Sequence, residues 1–492
     1  MTDADFEQEP YPSGFVPHLP TCDILMQLDN MLEGGLENVV IDLAHALEGW
    51  GYRVAILVLR NTGGGARKAV RSGLRVCIFP YNEQALQQEL ERSRPAIVFA
   101  HYSFQGAHLY ERLSIPFIQV LHNVYAWFDS VGKAMFAQAT AHTTLFVAVS
   151  ETVKDYSVEE LGVPAEKCLI IPNGIDLSRF TPEAVQEARE LRRRLGFSEK
   201  DFVFIAVASF NRIKRILALV KSFQCIRDLA PSVRLVLLGY PYDKDYLNEI
   251  LVYVENNNLQ ESISYAGHST TPELYYLMAD AFAHASSYEG GQLVLLEALA
   301  ANLAVVTTDV GFARHFTAYP GIRVVNRDFP YTYASFSAKG LRPSSELVAD
   351  LAWAMLQTYR NGTRPNLPQE VITAFDAKQT YARYERLVAD ILKRPPLTEA
   401  ATGWIDMLPG PPASSSVPLT SDEEKAKEAI RAIAQTVTEP NVREHNSIGA
   451  YQQFLRGIII VPIKAILASL PYKQEERIKR LLRLIWNAFW GH

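Results

Sequence analysis

Residues 286–311 read SSYEGGQLVLLEALAANLAVVTTDVG. From Leu293 to Ala301 the stretch is apolar on every side of a helix, with one exception, Glu297. A helix that is apolar all round is normally buried, and a buried carboxylate without a partner is costly. A second carboxylate, Glu289, stands eight positions earlier, ahead of Gly290 and Gly291. The run AFAHAS before it and the run AVVTTD after it are short and continuously apolar, as in strands buried on both faces. Strand, glycine turn, helix and strand in succession point to an α/β protein.

The same alternation extends in both directions. CDILMQL, YRVAILVL, LRVCIFP, AIVFAH, PFIQVLH and TLFVAVS precede a polar helical stretch, PEAVQEARELRRRLGF, that reads as a link. FVFIAVAS, VRLVLLG, SISYAG, AFAHAS and AVVTTD follow it. The pattern predicts a loose arm over 1–20, a Rossmann-like unit over 21–185 and a second over 186–375. A helix over 376–394 reads as closing the second unit. A Pro/Ser-rich linker over 395–420 and a helical tail over 421–492 complete the chain. Ligands of open α/β sheets lie beyond the carboxyl ends of the strands, so two such sheets facing each other enclose a cleft suited to a small molecule.

Composition narrows the partners. Of 492 residues 48% are hydrophobic and 21% charged, an ordinary globular balance, and the net charge is -6. With no basic block in the main body, bulk electrostatics argue against nucleic acid. Four scattered cysteines, at 22, 77, 168 and 225, fit neither a disulfide framework nor a zinc site and suit a reducing cytosol. The start, MTDADFEQEPYPSG, is acidic and polar, unlike a signal peptide. No apolar run reaches the roughly 18 residues that span a bilayer.

Glu297 is satisfied by a buried arginine, by backbone donors or by a ligand; Glu289 is a solvated loop residue or a ligand contact. A glycosidase-like pair stands roughly 5–9.5 Å apart. Eight helical residues span roughly 12 Å, which suits two groups holding opposite ends of one long ligand. Between them the helix start presents N–H groups near Gln292, Leu293 and Val294 to an anion. Gly290 and Gly291 allow a close approach to the backbone. In VASFNRIKRILALVKSF the cations Arg212, Lys214 and Arg215 crowd the start of a helix, against its macrodipole, which points to an anion nearby. Gly34 and Gly35 make a tight strand-to-helix turn and allow a ligand close to the backbone. No third glycine completes G-x-G-x-x-G, so a nicotinamide site is poorly supported. NTGGGARK lacks a P-loop ending and reads as a flexible turn. His122 ends a strand at the sheet edge where ligands sit, as a structural histidine or a ligand contact; His101 has a similar place on a neighbouring strand. Asp243 and Asp245, a D-x-D, read as a helix cap rather than a metal site.

The stretch 286–311 resembles the signature of retaining GT-B glycosyltransferases of family 4: two glutamates separated by seven residues, a small-residue helix and a strand ending in Thr, Asp and Gly. VAVSETVKDYSVEELGVPAEKCLIIPNGIDLSRF is similar to the family's domain-joining segment, with Asn173, Gly174 and Asp176. EGGLENVVIDLAHALEGWGYRVAILVL resembles its N-terminal glycine turn and helix. The resemblance covers about 22–394. It implies the GT-B fold, two facing Rossmann-like domains with an inter-domain cleft. It also implies glycosyl transfer, with retention, from a nucleotide diphosphate sugar to an acceptor hydroxyl. By resemblance Glu289 contacts the donor sugar, Glu297 the ribose, Lys214 the diphosphate, and His122 lies near the sugar. Glu289, Lys214 and His122 are thus the expected catalytic residues. The family's usual arginine is missing at Ser209–Asn211, so Arg212 is the candidate second charge, and Arg215 replaces a common glycine. The family needs no metal or other cofactor. The expected acceptor is a glycan or a lipid-linked molecule in surface or secreted glycan synthesis. A nucleotide-sugar epimerase or a non-catalytic scaffold are the competing readings.

The tail lies beyond the resemblance. GIIIVPIKAILASL is too short to span a membrane. In YKQEERIKRLLRLIWNAFWGH, Ile478, Leu481, Leu482, Ile485 and Phe489 share one helical face, flanked by Trp486 and Trp490. Five Lys/Arg against two Glu over 473–492 suit a helix lying on an anionic membrane, or one docked on protein. The expectation is a cytoplasmic protein, peripheral to the membrane.

Overall fold

Two parallel sheets form in turn along the chain. The first holds β1 (Ile24–Met31), β2 (Val54–Thr62), β3 (Val76–Ile78), β4 (Ile97–His101), β5 (Phe117–Leu121), β6 (Leu145–Ala148) and β7 (Cys168–Ile170), in the order β3-β2-β1-β4-β5-β6-β7. The second holds β8 (Phe202–Val207), β9 (Val233–Leu238), β10 (Ile263–Gly267), β11 (Ala281–His284), β12 (Ala304–Thr308) and β13 (Ile322–Val325), in the order β10-β9-β8-β11-β12-β13. The structure is a computed structural model and describes residues 15–32, 34–327, 343–398 and 420–438. The basic amphipathic segment 473–492 lies outside the described residues, as does most of the linker.

Helices cover both faces of each sheet, which is why the strands are apolar throughout. All residues of β4, β5, β11 and β12 are buried. Met26 and Phe99 enter one core beneath the first sheet, Leu25 and Val98 another. Phe204 and Leu235, against Val203 and Val236, divide the second sheet in the same way. Each such side chain contributes about 1.5–3 kcal/mol through burial. Strand order reverses between β1 and β4 and again between β8 and β11. These are the switch points where α/β sheets hold ligands.

The chain crosses to the second unit through Asn173–Arg179. It then enters the helix Pro182–Arg194, capped by Thr181 with proline in the first turn. Ala188 and Leu191 of that helix are buried in the second unit. The helix Ala377–Ile391 departs from expectation. Instead of closing the second unit it returns to the first, where Tyr384, Leu387 and Val388 join the core. Tyr52 Oη donates to Glu385 Oε1 at 3.0 Å, and Phe99 meets Tyr384 edge-on at 5.6 Å. A helical pattern carries no record of which unit its apolar face covers.

The helix Ser421–Thr438, the first part of the tail, docks on the second unit. Its Ile430 and Ala434 are fully buried in a core shared with the helices Ser345–Asn361 and Ile216–Ile226. NTGGGARK is also firmer than its composition suggests. Gly63 starts the helix Gly64–Arg71, and a Cβ on Gly65 would lie 2.7 Å from the Leu32 carbonyl oxygen. Its glycines thus serve close packing against the loop after β1. Among the described residues no helix is long and apolar enough to cross a membrane.

Candidate functional site

The loops after β8 and β11 meet at the second switch point. After β8, Asn211 Oδ1 accepts from Lys214 N at 3.2 Å and caps the short 3-10 turn Arg212–Lys214. The loop after β11 is tied to it by Ser287 N donating to Ile213 O at 2.8 Å. Lys214 Nζ then donates to Glu289 Oε1 at 2.6 Å. Ser286 Oγ donates to the same oxygen at 2.7 Å, and His284 Nε2 stands 3.2 Å from it. Gln292 Nε2, at 3.2 Å, donates to His284 Nδ1 with the amide as assigned, which puts the imidazole proton on the side of Glu289. Glu289 is only 8% exposed. Burial raises its carboxyl, but the Lys214 charge and the His284 contact outweigh this and pull it down to about 2.

The helix Leu293–Ala300 starts at Gln292, whose side chain is buried and does not cap it. Of the three expected N–H donors, that of Leu293 already goes to Gly291 O at 3.0 Å; Val294 lies in the first turn. Glu297 has found the arginine that its burial called for. Arg179 donates through Nη2 to Glu297 Oε1 at 2.9 Å and through Nη1 to Glu273 Oε2 at 3.2 Å. Burial pushes the Glu297 carboxyl up, with Arg179 the largest opposing influence.

Lys214 and Glu289 are thus brought together, and Arg212 is turned elsewhere. Its Nη2 pairs with Glu249 Oε2 at 2.7 Å, and its guanidinium lies over the Tyr246 ring at 5.1 Å. Arg215 is buried and holds φ +50, in the left-handed region that favours glycine. Asp243 caps the helix Lys244–Asn256, accepting from Tyr246 N at 2.9 Å as its sequence suggested. Among the described residues no three His, Cys, Asp or Glu side chains gather as metal ligands.

The first unit faces this constellation closely. A Cβ on Gly290 would fall 1.8 Å from the His122 carbonyl oxygen. Ser150 Oγ donates to Gly290 O at 2.6 Å, and Thr152 Oγ1 to Gly311 O at 3.2 Å. What comes close to Gly290 here is the main chain of the other unit, and a Cβ on Gly291 would meet the Phe312 ring at 2.9 Å. His122 Nε2 lies 2.8 Å from His101 Nδ1 with the rings stacked. Burial drives both imidazoles towards the neutral form, His101 to about 3 and His122 well below its ordinary range, with His101 adding to the latter. Tyr102 holds φ +50 and packs its ring 5.7 Å from His122. Burial raises its phenol, opposed by a hydrogen bond with Asn123, while the charges of Glu289 and Glu37 reach it. Glu37 belongs to the glycine turn: Gly34 and Gly35 lead into the helix Gly35–Gly49, and Glu37 Oε1 accepts from Leu32 N at 3.2 Å. Sequence reasoning did not single out Arg179, Glu273, His284 or Tyr102. Arg179 and His284 stand inside quoted stretches, but nothing in their spacing names a partner.

Residues 33–179 match the family model described as Glycosyltransferase Family 4, and residues 187–318 match Glycosyl transferases group 1. The two matches together cover more than half of the chain, one on each Rossmann-like unit, and the chain belongs to the family 4 glycosyltransferases of GT-B fold. Among curated relatives, alpha-monoglucosyldiacylglycerol synthase of Streptococcus pneumoniae is 30% identical over 216 residues, covering 41% of this chain and 48% of that protein. The putative teichuronic acid biosynthesis glycosyltransferase TuaC of Bacillus subtilis is 25% identical over 232 residues, covering 44% and 54%. The chain thus spans about half the length of these two relatives. Among solved structures, Anabaena HepE in complex with UDP and glucose superimposes with a TM-score of 0.59 at 18% identity, over 76% of this chain and 99% of that one.

Proposed function

We propose that this chain transfers a glycosyl group from a nucleotide diphosphate sugar to an acceptor hydroxyl, with retention of configuration at the anomeric carbon. The observation that carries the reading is the Lys214–Glu289 pair at the switch point of the second sheet, with the first unit close against it. Lys214 and Ser286 both donate to Glu289 Oε1, with His284 Nε2 3.2 Å away, so Oε2 is the oxygen left to accept from a sugar hydroxyl. Lys214 and the first turn of the helix Leu293–Ala300 stabilise the departing diphosphate. Glu297 accepts from the ribose hydroxyls. His122, held neutral against His101, serves as a hydrogen-bonding wall for the sugar rather than as an imidazolium acid. The bond from the anomeric carbon to the phosphate oxygen breaks, with its electron pair leaving on the diphosphate. The acceptor oxygen attacks from the same face, and its proton passes to the departing phosphate oxygen. This scheme calls for no metal or other cofactor.

The acceptor is a glycan or a lipid-linked molecule. The names of the two relatives, a glycolipid synthase and a surface-polymer glycosyltransferase, support that class. The basic amphipathic segment 473–492 would bring the enzyme to the cytoplasmic face of an anionic membrane.

A panel of nucleotide sugars, with release of nucleoside diphosphate as readout, tests the activity. No release from any donor removes the enzyme reading, and an inverted anomeric configuration in the product removes retention. Co-sedimentation with anionic vesicles tests the membrane role. The shortened chain should end at 438, because Ser421–Thr438 packs into the second unit. Equal pelleting of the 1–438 and full-length chains would sink the membrane assignment.

A further inference from the structure

The crossing segment is built to deliver one side chain. A Cβ on Gly174 would lie 2.5 Å from Phe375 O, so the strand fits flush against the returning chain. Ile175 N donates to Phe375 O at 2.8 Å, and Ile175 O accepts from Ala377 N at 2.9 Å. Asp176 Oδ1 accepts from Ser178 N at 3.0 Å and from Ser178 Oγ at 2.5 Å, fixing the 3-10 turn Leu177–Arg179. The turn ends on Arg179, whose two terminal nitrogens go to carboxylates on two different helices, Pro272–Met278 and Leu293–Ala300. Arg179 Nε is buried without a hydrogen-bond partner, so the guanidinium is placed for the carboxylates and not for its own full satisfaction.

We propose that Arg179 is a positioning residue of the nucleotide site, fixing the Glu297 carboxylate so that it accepts both hydrogens of a ribose diol. The proposal rests on the nucleotide-sugar reading above. Two hydroxyls need two acceptor oxygens, and a carboxylate offers both, whereas the protonated acid turns one oxygen into a donor. Burial favours the acid, and among the described residues the charged and titratable groups bearing on Glu297 are Arg179, Tyr276 and Glu273. The Arg179 charge favours the carboxylate, as does the neighbouring Tyr276 hydroxyl, and Glu273 opposes it. Arg179 therefore supplies the cationic charge that, against burial, favours the ionised form of this carboxylate. It does so from the segment joining the two halves of the chain.

The experiment uses Arg179→Gln in the full chain, with UDP, GDP and ADP as probes in separate calorimetric titrations. Affinities of wild type and variant are compared as a ratio at each of several values between about pH 6 and about pH 9, which cancels the ligand's own ionisation. The expected ratio is about tenfold near neutrality, falling towards one as rising pH removes the proton from Glu297. A ratio of one throughout shows that Arg179 has no bearing on the ligand and overturns the proposal. A large ratio independent of pH means direct ligand contact or a purely structural role, and also overturns it. Thermal unfolding of Arg179→Gln, Glu297→Gln and the double variant needs no ligand. Non-additive shifts are expected, and additivity refutes the coupling. Coupling without binding of any of the three nucleotides by wild type overturns the nucleotide reading itself, and with it the purpose assigned to Arg179.

Discussion

Lys214 and Glu289 stand 75 positions apart and end different loops, yet their charged atoms meet at 2.6 Å. Removing the lysine leaves a buried carboxylate whose desolvation is no longer outweighed. Lys214→Ala is expected to lower turnover about a hundredfold and to shift the acid limb of the pH–rate profile upward. In wild type that limb has no contribution from Glu289 until the pH nears about 2. The same depressed pKa stabilises the fold above the unfolded value, near 4.5, and that stability fades as pH falls towards about 2. In urea unfolding, the gap between wild type and Glu289→Gln should therefore shrink on acidification.

Glu289 and Glu297 address different ends of one ligand, so their losses should separate kinetically. Glu297→Ala is expected to weaken nucleoside diphosphate binding about ten- to a hundredfold. Glu289→Ala should mainly reduce kcat, with little effect on binding of the nucleotide without its sugar. Wild-type kinetics in both variants would sink this division of labour.

His101 resists protonation, with a pKa of about 3 in the fold against 6.5 for the ordinary side chain. The unfolded chain gains a proton below the ordinary value that the folded chain refuses. Stability is thus lost as pH falls from about 6.5 towards about 3. His101→Gln should flatten that fall by up to about 1.4 kcal/mol per pH unit, read from denaturant unfolding at several pH values. A slope equal to that of wild type would show that His101 titrates normally.

Gly290 leaves no room for a side chain against the His122 carbonyl, 1.8 Å from where a Cβ would stand. Gly290→Ala should push the two units apart at this point. Expected are a larger radius of gyration in solution scattering and a fall in turnover, with secondary structure unchanged by circular dichroism. An unchanged scattering profile with full activity would mean that the contact yields easily.

The α/β class and both units were legible because buried parallel strands are short apolar runs, and β4, β5, β11 and β12 are buried along their whole length. Glu297 was legible because a carboxylate in apolar surroundings is costly, and Glu289 because it stands eight positions earlier, ahead of two glycines. Their partners were not. The arginine that answers Glu297 stands 118 positions away, and local spacing carries no information over that distance. Arg212 read as a phosphate ligand from its place beside Lys214, and the sequence did not show its pairing with Glu249 and Tyr246 on the helix Lys244–Asn256. Gly290 read as room for a ligand because a missing side chain does not tell which neighbour uses the space. The destination of the helix Ala377–Ile391 was hidden for the same reason as any docking face: its stripe shows that something is covered, not what.

That returning helix has a consequence for how the protein is made. Tyr384, Leu387 and Val388 complete the interior beneath the first sheet, yet they are synthesised roughly two hundred residues after its last strand. The first unit therefore emerges from the ribosome with part of its interior uncovered, and it stays so until the whole second unit has been translated. During that interval the nascent chain carries an exposed apolar surface, so the first half should aggregate when expressed alone and depend on chaperones while the second half is still being made.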